Sequence, residues 1–463
     1  MNRSVSIFVC QSCGAETRQF FGRCSNCGEW NSIVEEIRSK SSASSRKKRT
    51  QIDQKSSSHR SEIISLEKEQ SFKRISTGYQ EFDRVLGGGI VPGSLILVGG
   101  DPGIGKSTLL LKSATNMALS NRILYITAEE SAHQVRIRWK RINHGESKLH
   151  LLSETDLEEI IEELYQFNPE VVIIDSIQAL NNENLTSAPG SVAQVRECSA
   201  CLQKVAKKRN IALLIVGHVT KEGALAGPKV LEHLVDAVLT FEGDRLGSHR
   251  LLRAIKNRYG ATNELGVFEM QGDGLLEVQN PSELFLSNES ASGIATIVAC
   301  EGSRSIAVDL QALINPSTYA TPKRTATGVE TNRLHQILAV LEKHIGLTLS
   351  RHDCYLAVAG GLAVDEPAAD LGIAMAIVSS FKNIEIPKKT ILIGEIGLGG
   401  QLRPVKQISQ RIQEAIRLGF EIAVVPEGIS SNELKSIKTK DIQLIKVSTI
   451  QDSLFEVLGL KSN

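Results

Sequence analysis

Aromatic side chains make up only 4% of the 463 residues, so no rows of stacking platforms for single-stranded nucleic acid stand out. No apolar run approaches the roughly 18 residues that a membrane span needs. The N-terminus also lacks the long apolar core of a secretory signal. These absences point to a cytoplasmic protein with no membrane partner. A dominant charge is missing too: 53 Lys and Arg stand against 52 Asp and Glu, and a net of +1 selects no class of partner. Hydrophobic content of 41% and charged content of 23% are ordinary for a globular chain.

The basic residues are unevenly spread. Arg38, Lys40, Arg46, Lys47, Lys48, Arg49, Lys55 and Arg60 face one acid, Asp53, in a stretch almost without large apolar side chains. That composition reads as a disordered linker. Its run Arg46–Arg49 either touches phosphates or is simply solvated.

What is present is sharper. Gly100, Asp101, Pro102, Gly103, Ile104, Gly105, Lys106 and Ser107 fit the phosphate-cradling pattern G-x-x-x-x-G-K-[ST]. The apolar run Ser94–Val98 before it predicts a strand, and Thr108–Met117 after it predicts a helix. Glycines let backbone approach the phosphates, and consecutive N–H groups with the helix N-terminus supply a positive cradle. Lys106 is expected on the β/γ-phosphates and Ser107 on Mg²⁺. The apolar run Val171–Ile174 ends in Asp175, the Walker B arrangement that would hold the magnesium shell. Ile123–Thr127 is another expected strand, followed by Glu129 and Glu130. Glu129 is the first choice for activating water and Glu130 the second, unless the pair only complements a helix N-terminus. Ile215–Thr220 brings His218 and Thr220 to one strand face. They either sense the γ-phosphate and signal to the loop Lys221–Pro228, or are structural. Lys256 and Arg258 share one face near the end of an expected strand, and two adjacent cations call for an anion. A phosphate bound to a neighbouring subunit is the candidate; a solvated strand end is the other reading.

Cysteine usage suits a reducing compartment. Cys10 and Cys13, then Cys24 and Cys27, form two Cys-x-x-Cys pairs ten residues apart. This spacing presents four thiolates to one structural zinc ion. Cys198 and Cys201 fall in a helical pattern, and Cys300 and Cys354 in apolar contexts. From Phe72 to about Leu284, apolar strands alternate with helices, predicting a mostly parallel sheet covered on both faces. A second α/β segment follows, with helices at Arg333–His344, Asp370–Ser380 and Ile408–Leu418, and strands at Ile391–Gly394, Ala423–Pro426 and Leu444–Val447.

These motifs in this order, closed by Lys256-Asn257-Arg258-Tyr259-Gly260, resemble the bacterial RadA (Sms) family of DNA repair proteins. The resemblance spans essentially the whole chain and includes Val358–Asp370 and Gly394–Gly400. Tyr259 stands where the family's Lys-Asn-Arg-Phe-Gly motif has Phe. The resemblance implies a RecA-like ATPase with ATP, Mg²⁺ and Zn²⁺ as cofactors. It also implies a homohexameric ring on single-stranded and branched DNA, branch migration, and a recombinase filament as partner. Gly100 through Thr108 carry over as the nucleotide site, Glu129 as water activator, Asp175 as magnesium ligand, and Lys256 with Arg258 as coupling cations. The C-terminal segment resembles the proteolytic domain of Lon, which uses a Ser-Lys dyad. Here Ala368 stands at the serine position and Ser409 at the lysine position, with Lys406 out of register, so acyl transfer is unavailable. Arg304, Lys323, Arg324 and Arg333 are candidate phosphate contacts there. The expected divisions are a zinc finger at 1–36, a basic linker at 37–70, an α/β RecA-like ATPase at 71–285, and an α/β Lon-protease-like scaffold at 286–463. An ATP-dependent protease, opposed by Ala368, and a nucleotide-gated DNA-binding scaffold are the competing functions.

Overall fold

The apolar runs in the middle of the chain become central strands buried along their whole length. This computed structural model describes residues 4–10, 15–26, 28–30, 32–39, 73–142, 147–217, 228–243, 249–262, 264–287, 291–319, 321–430, 433, 437 and 441–460. The chain divides into two compact units, Met1–Val278 and Gln279–Asn463. The sequence placed this division at 285/286. Ser282 belongs with the second unit, where its Oγ accepts a hydrogen bond from the Ala307 N–H at 3.1 Å.

The first unit opens with β1 (Ser4–Cys10), β2 (Glu16–Thr17) and β3 (Ile33–Ser39), an antiparallel sheet in the order β2-β1-β3. The main sheet contains β4 (Leu95–Gly100), β5 (Ile123–Thr127), β6 (His150–Ser153), β7 (Val171–Asp175), β8 (Ala212–Val216), β9 (Ala237–Glu242), β10 (His249–Asn257), β11 (Leu265–Gln271) and β12 (Gly274–Glu277). Their order is β12-β11-β10-β9-β4-β8-β7-β5-β6. Strands β4 to β9 run parallel, and β10 to β12 add an antiparallel edge that the sequence patterns did not predict. Period-two geometry splits each strand between two cores. Ile96 and Val98 pack with Phe82 and Leu110 on one face, whereas Leu95 and Leu97 pack with Ile160 and Leu202 on the other.

The helices are α1 (Gln80–Val85), α2 (Lys106–Met117), α3 (Ala132–Ile142), α4 (Leu157–Phe167), α5 (Val192–Arg209) and α6 (Pro228–Leu234). Asp156 caps α4 by accepting from the Glu158 and Glu159 N–H groups at 2.7 and 3.1 Å. Cys198 is buried in α5, where burial pushes its thiol up to about 12 and leaves it inert.

The second unit is built on a sheet of β13 (Ile294–Glu301), β14 (Arg304–Pro316), β15 (Arg324–Thr327), β16 (His352–Val358), β17 (Thr390–Leu392), β20 (Ile422–Pro426) and β21 (Gln443–Val447), beside the small pair β18 (Glu395–Ile396) and β19 (Leu402–Arg403). The sequence found its later parallel strands but missed the antiparallel β13–β14 hairpin, with its long register from Ile294↔Gln311 to Glu301↔Arg304. Helix α7 (Ser282–Phe285) precedes the sheet; α8 (Thr331–Ile345), α9 (Asp370–Lys382) and α10 (Ile408–Arg417) lie between its strands in the chain. A Cβ at Gly372 would collide with Ile297, so glycine there lets α9 lie close on β13. Among the described residues, no helix is long and apolar enough to cross a membrane.

Candidate active site

The carboxyl ends of β4, β5 and β7 meet at one edge of the main sheet, where open α/β folds bind ligands. Strand β4 turns there into α2 through the glycine-rich loop. Gly100 takes φ +147°, and a Cβ on it would collide with the Phe241 carbonyl. Gly105 takes φ +116°, and its Cβ would stand 2.7 Å from Met270 Cε. Only glycine suits either position. Asp101, Pro102 and Gly103 are exposed, whereas Ile104 is buried; Ser107 and Thr108 are half-buried in the first turn of α2.

Lys106 is 4% exposed. Its Nζ donates to the Gly100 and Asp101 carbonyls at 2.8 and 2.9 Å. The ammonium thus rests on the carbonyls of its own loop. Burial lowers its pKa, while the carboxylates of Asp175, Glu129 and Asp101 act in the opposite direction.

Asp175 ends β7 and accepts the Tyr125 hydroxyl at 2.7 Å. Tyr125 is fully enclosed, and burial, reinforced by Asp175, pushes its phenol well above the ordinary value. Beside Asp175, Ser176 Oγ donates to the Glu129 carboxylate. Glu130 has a different environment: Arg138 pairs with it at 2.5 Å, and its carbonyl accepts from Thr127 Oγ1 at 2.7 Å. Of the two acids, Glu129 is exposed next to the Asp175 end, and Glu130 is tied to α3. Tyr125 and Arg138 escaped the sequence reading. A hydroxyl inside the apolar run Ile123–Ile126 was the available signal for the first.

Lys256 and Arg258 lie elsewhere. Strand β10 runs antiparallel to β9, so Asn257 pairs with Ala237 whereas the loop glycine Gly100 pairs with Phe241. The motif therefore sits four residues down the strand from the P-loop edge, roughly 13 Å at about 3.3 Å per residue. A register shift separates Ala254 from Lys256, and Arg258 lies beyond the strand. Lys256 Nζ donates to the Val235 carbonyl at 2.9 Å and to that of Glu232, at the end of α6. Arg258 Nη1 pairs at 3.0 Å with Asp236, which is 1% exposed. Asn257 and Gly260 hold the motif in place. Asn257 Nδ2 donates to the Val85 carbonyl at 3.2 Å, and its Oδ1 accepts from the Tyr259 N–H at 2.9 Å. A Cβ on Gly260 would stand 2.9 Å from Gly87 Cα. The Tyr259 ring is 39% exposed. His218 and Thr220 lie outside the described residues.

In the N-terminal sheet, Cys10 and Cys24 are 0% and 3% exposed and share a core with Ile33. Each opens a matching turn: the Cys10 N–H donates to the Ala15 carbonyl at 3.0 Å, and the Cys24 N–H to the Glu29 carbonyl at 2.9 Å. The Asn26 N–H also points at Cys24 Sγ, 3.4 Å away. Buried thiols at Cys10 and Cys24, with a backbone N–H···S contact at Cys24, suit ligands of a thiolate zinc site. Cys13 and Cys27 lie outside the described residues.

In the second unit, Ala368 is 4% exposed and bears no nucleophile. Ser409 Oγ donates to the Glu433 carbonyl at 2.7 Å, and Lys406 is exposed. The neighbouring residues form an ion pair instead. Arg411, 2% exposed, holds Glu366 through contacts of 2.7 and 2.5 Å. Two of the expected phosphate contacts have partners within the unit. Arg333 pairs with buried Asp370, and Arg304, 9% exposed, donates to the Gln279 carbonyl at 3.1 Å. Lys323 Nζ lies 4.3 Å over the Tyr319 ring, and Arg324 starts the edge strand β15.

A P-loop and an acid-ended strand on a mostly parallel sheet define an ATPase-type domain of RecA-like fold, carried here between a metal ribbon and a Lon-like unit. Comparison with known families agrees. Residues 61–224 match the AAA domain, residues 8–35 the rubredoxin metal binding domain, and residues 324–429 the family described as subunit ChlI of Mg-chelatase. The chain belongs to the RadA family of DNA repair proteins. It is 51% identical to DNA repair protein RadA of Synechocystis, over 95% of this chain and 92% of that one. It is 48% identical to the Bacillus subtilis protein of that name, over 99% of this chain and 100% of that one. Solved structures it resembles include a KaiC-like protein of Pyrococcus horikoshii, at 18% identity over 45% of this chain and 99% of that one, with a TM-score of 0.37. A second solved structure, described as an ATPase domain, matches at 14% identity over 46% of this chain and 94% of that one, with a TM-score of 0.40.

Proposed function

We propose that this protein is a DNA-dependent ATPase of recombinational repair that processes branched intermediates and promotes branch migration. Gly100 to Thr108 bind ATP, with the Gly103, Gly105 and Lys106 N–H groups and the Lys106 ammonium on its phosphates. Ser107 and Asp175 hold Mg²⁺, and Glu129, oriented by Ser176, activates the attacking water. His218 is assigned to γ-phosphate sensing from sequence alone. Zinc on Cys10, Cys13, Cys24 and Cys27 stabilises the module at 1–36. The linker at 37–70 joins it to the ATPase at 71–285, and residues 286–463 serve as an assembly and DNA-contact scaffold without peptidase chemistry.

The observation that carries the reading is the opposition of two charged sets across one sheet. Lys106, Asp175 and Glu129 gather at one edge, while Lys256 and Arg258 lie some four strand residues away. Cations so placed cannot serve the nucleotide of their own subunit. They suit the nucleotide of the next subunit in a ring, for which a homohexamer is the assembly proposed. Partners are single-stranded and branched DNA and a recombinase filament, in the cytoplasm.

The test is ATP turnover of the full-length protein with and without single-stranded DNA. A several-fold rise is expected, and turnover indifferent to DNA would overturn the DNA-dependent reading. Branch migration should stop in Lys106→Ala; unchanged migration would show that hydrolysis does not drive it.

A further inference from the structure

Arg250 is the second residue of β10, beside the P-loop, and is 7% exposed. Its Nε donates to the Ile104 carbonyl at 3.1 Å, across 146 residues of sequence. Its Nη1 donates to the His249 carbonyl at 2.8 Å. Ile104 lies in the middle of the P-loop with its side chain fixed in the hydrophobic core.

In a trans peptide, the carbonyl of one residue and the N–H of the next point in opposite directions. A guanidinium that holds the Ile104 carbonyl therefore turns the Gly105 N–H the other way. That N–H is one of the donors with which such a loop meets an anion. The bond is charge-assisted and shielded from water, so it is strong for a contact to backbone. Gly105 itself, at φ +116° and blocked by Met270, supplies no side chain that could set the plane.

We propose that Arg250 is a positioning residue of the nucleotide site. By holding the Ile104 carbonyl, it fixes the Ile104–Gly105 peptide plane so that the Gly105 N–H faces the phosphates of a bound nucleoside triphosphate. The same strand ends in Lys256 and Asn257, so the contact also ties the P-loop to the strand that carries the distant cationic motif. The inference rests on the nucleotide-binding reading above.

The experiment compares full-length wild type, Arg250→Gln and Arg250→Lys. It measures the Kd of a non-hydrolysable ATP analogue with Mg²⁺, the Tm without nucleotide, and KM against kcat. Arg250→Gln is expected to raise Kd and KM by about tenfold, the scale of one lost hydrogen bond from a charged donor, with kcat little changed. Arg250→Lys should recover part of the affinity, since one ammonium replaces only part of the fork. A purely structural role would lower Tm and leave the Kd of folded protein unchanged, and that result overturns the proposal. If Arg250→Gln fails to fold, Arg250→Lys is judged by the same criterion. A wild type that binds no analogue would sink the nucleotide reading itself. A variant that binds as tightly as a competent wild type would sink only the role of Arg250.

Discussion

Lys106 has two hydrogen bonds to its own loop and almost no contact with water. Burial lowers its pKa. The unfolded chain therefore keeps this proton to higher pH than the folded one, and the site's contribution to stability rises between the lowered value and the free-lysine value near 10.4. Lys106→Met removes the titration. The wild type's Tm should gain on the variant's as pH is raised through that window; a calorimetric difference that stays flat would contradict the assignment. Lys256 and Arg258 make the opposite kind of prediction. Being remote from the P-loop, Lys256→Ala should keep the affinity for an ATP analogue within about twofold while turnover falls by about 10³ or more, the scale of a lost cationic finger. Loss of binding would place Lys256 in the pocket of its own subunit. Arg258→Ala carries an added cost of about 1–3 kcal/mol, because Asp236 loses its charged donor.

Among the elements, the parallel strands and their helices were the most legible in the sequence. Val171–Ile174 and Ala212–Val216 are unbroken apolar runs because both faces are buried, and the end of the first showed where Asp175 stands. The antiparallel elements were harder to see. In β14 the buried and exposed residues alternate only over part of the strand, and β12 and β15 have four residues each, too few for a periodic signal. Strand β10 shows the consequence at the site. Lys256 and Arg258 were visible as cations, but the antiparallel return that carries them away from the P-loop was not. Arg250 was invisible for the same reason, since its partner is a backbone carbonyl in a distant element. In the second unit, the loss of a nucleophile at Ala368 could be read from the sequence, whereas the Glu366–Arg411 pair beside it could not. Arg411 is nearly inaccessible, so Glu366→Ala should destabilise that unit by about 3–5 kcal/mol, and replacing both residues with apolar ones should cost much less. Chemical denaturation checks this; a double variant that costs the sum of the two single variants would mean that the pair is not coupled.

At the scale of the whole molecule, separate sources of stability serve separate parts. Among the described residues, the N-terminal sheet has a core of Cys10, Cys24 and Ile33 with Phe8 and Ala15 against it, too little to hold a fold without metal. Chelation should remove about one zinc per chain and unfold that module, while the ATPase, with its two large cores, keeps its nucleotide affinity within about twofold. Affinity that collapses with the metal would contradict that independence. The central claim is that each ATP site is completed by a neighbouring copy, because Lys106 and Lys256 stand toward opposite ends of the strands of one sheet. Mixing two inactive variants, Lys106→Ala and Lys256→Ala, tests it most directly. In a mixed assembly, some interfaces join an intact P-loop from one variant to an intact Lys256 from the other, so ATP turnover should return well above the sum of the separate variants. Turnover in the mixture no greater than that sum, with mixed assembly verified, would contradict a site shared between subunits.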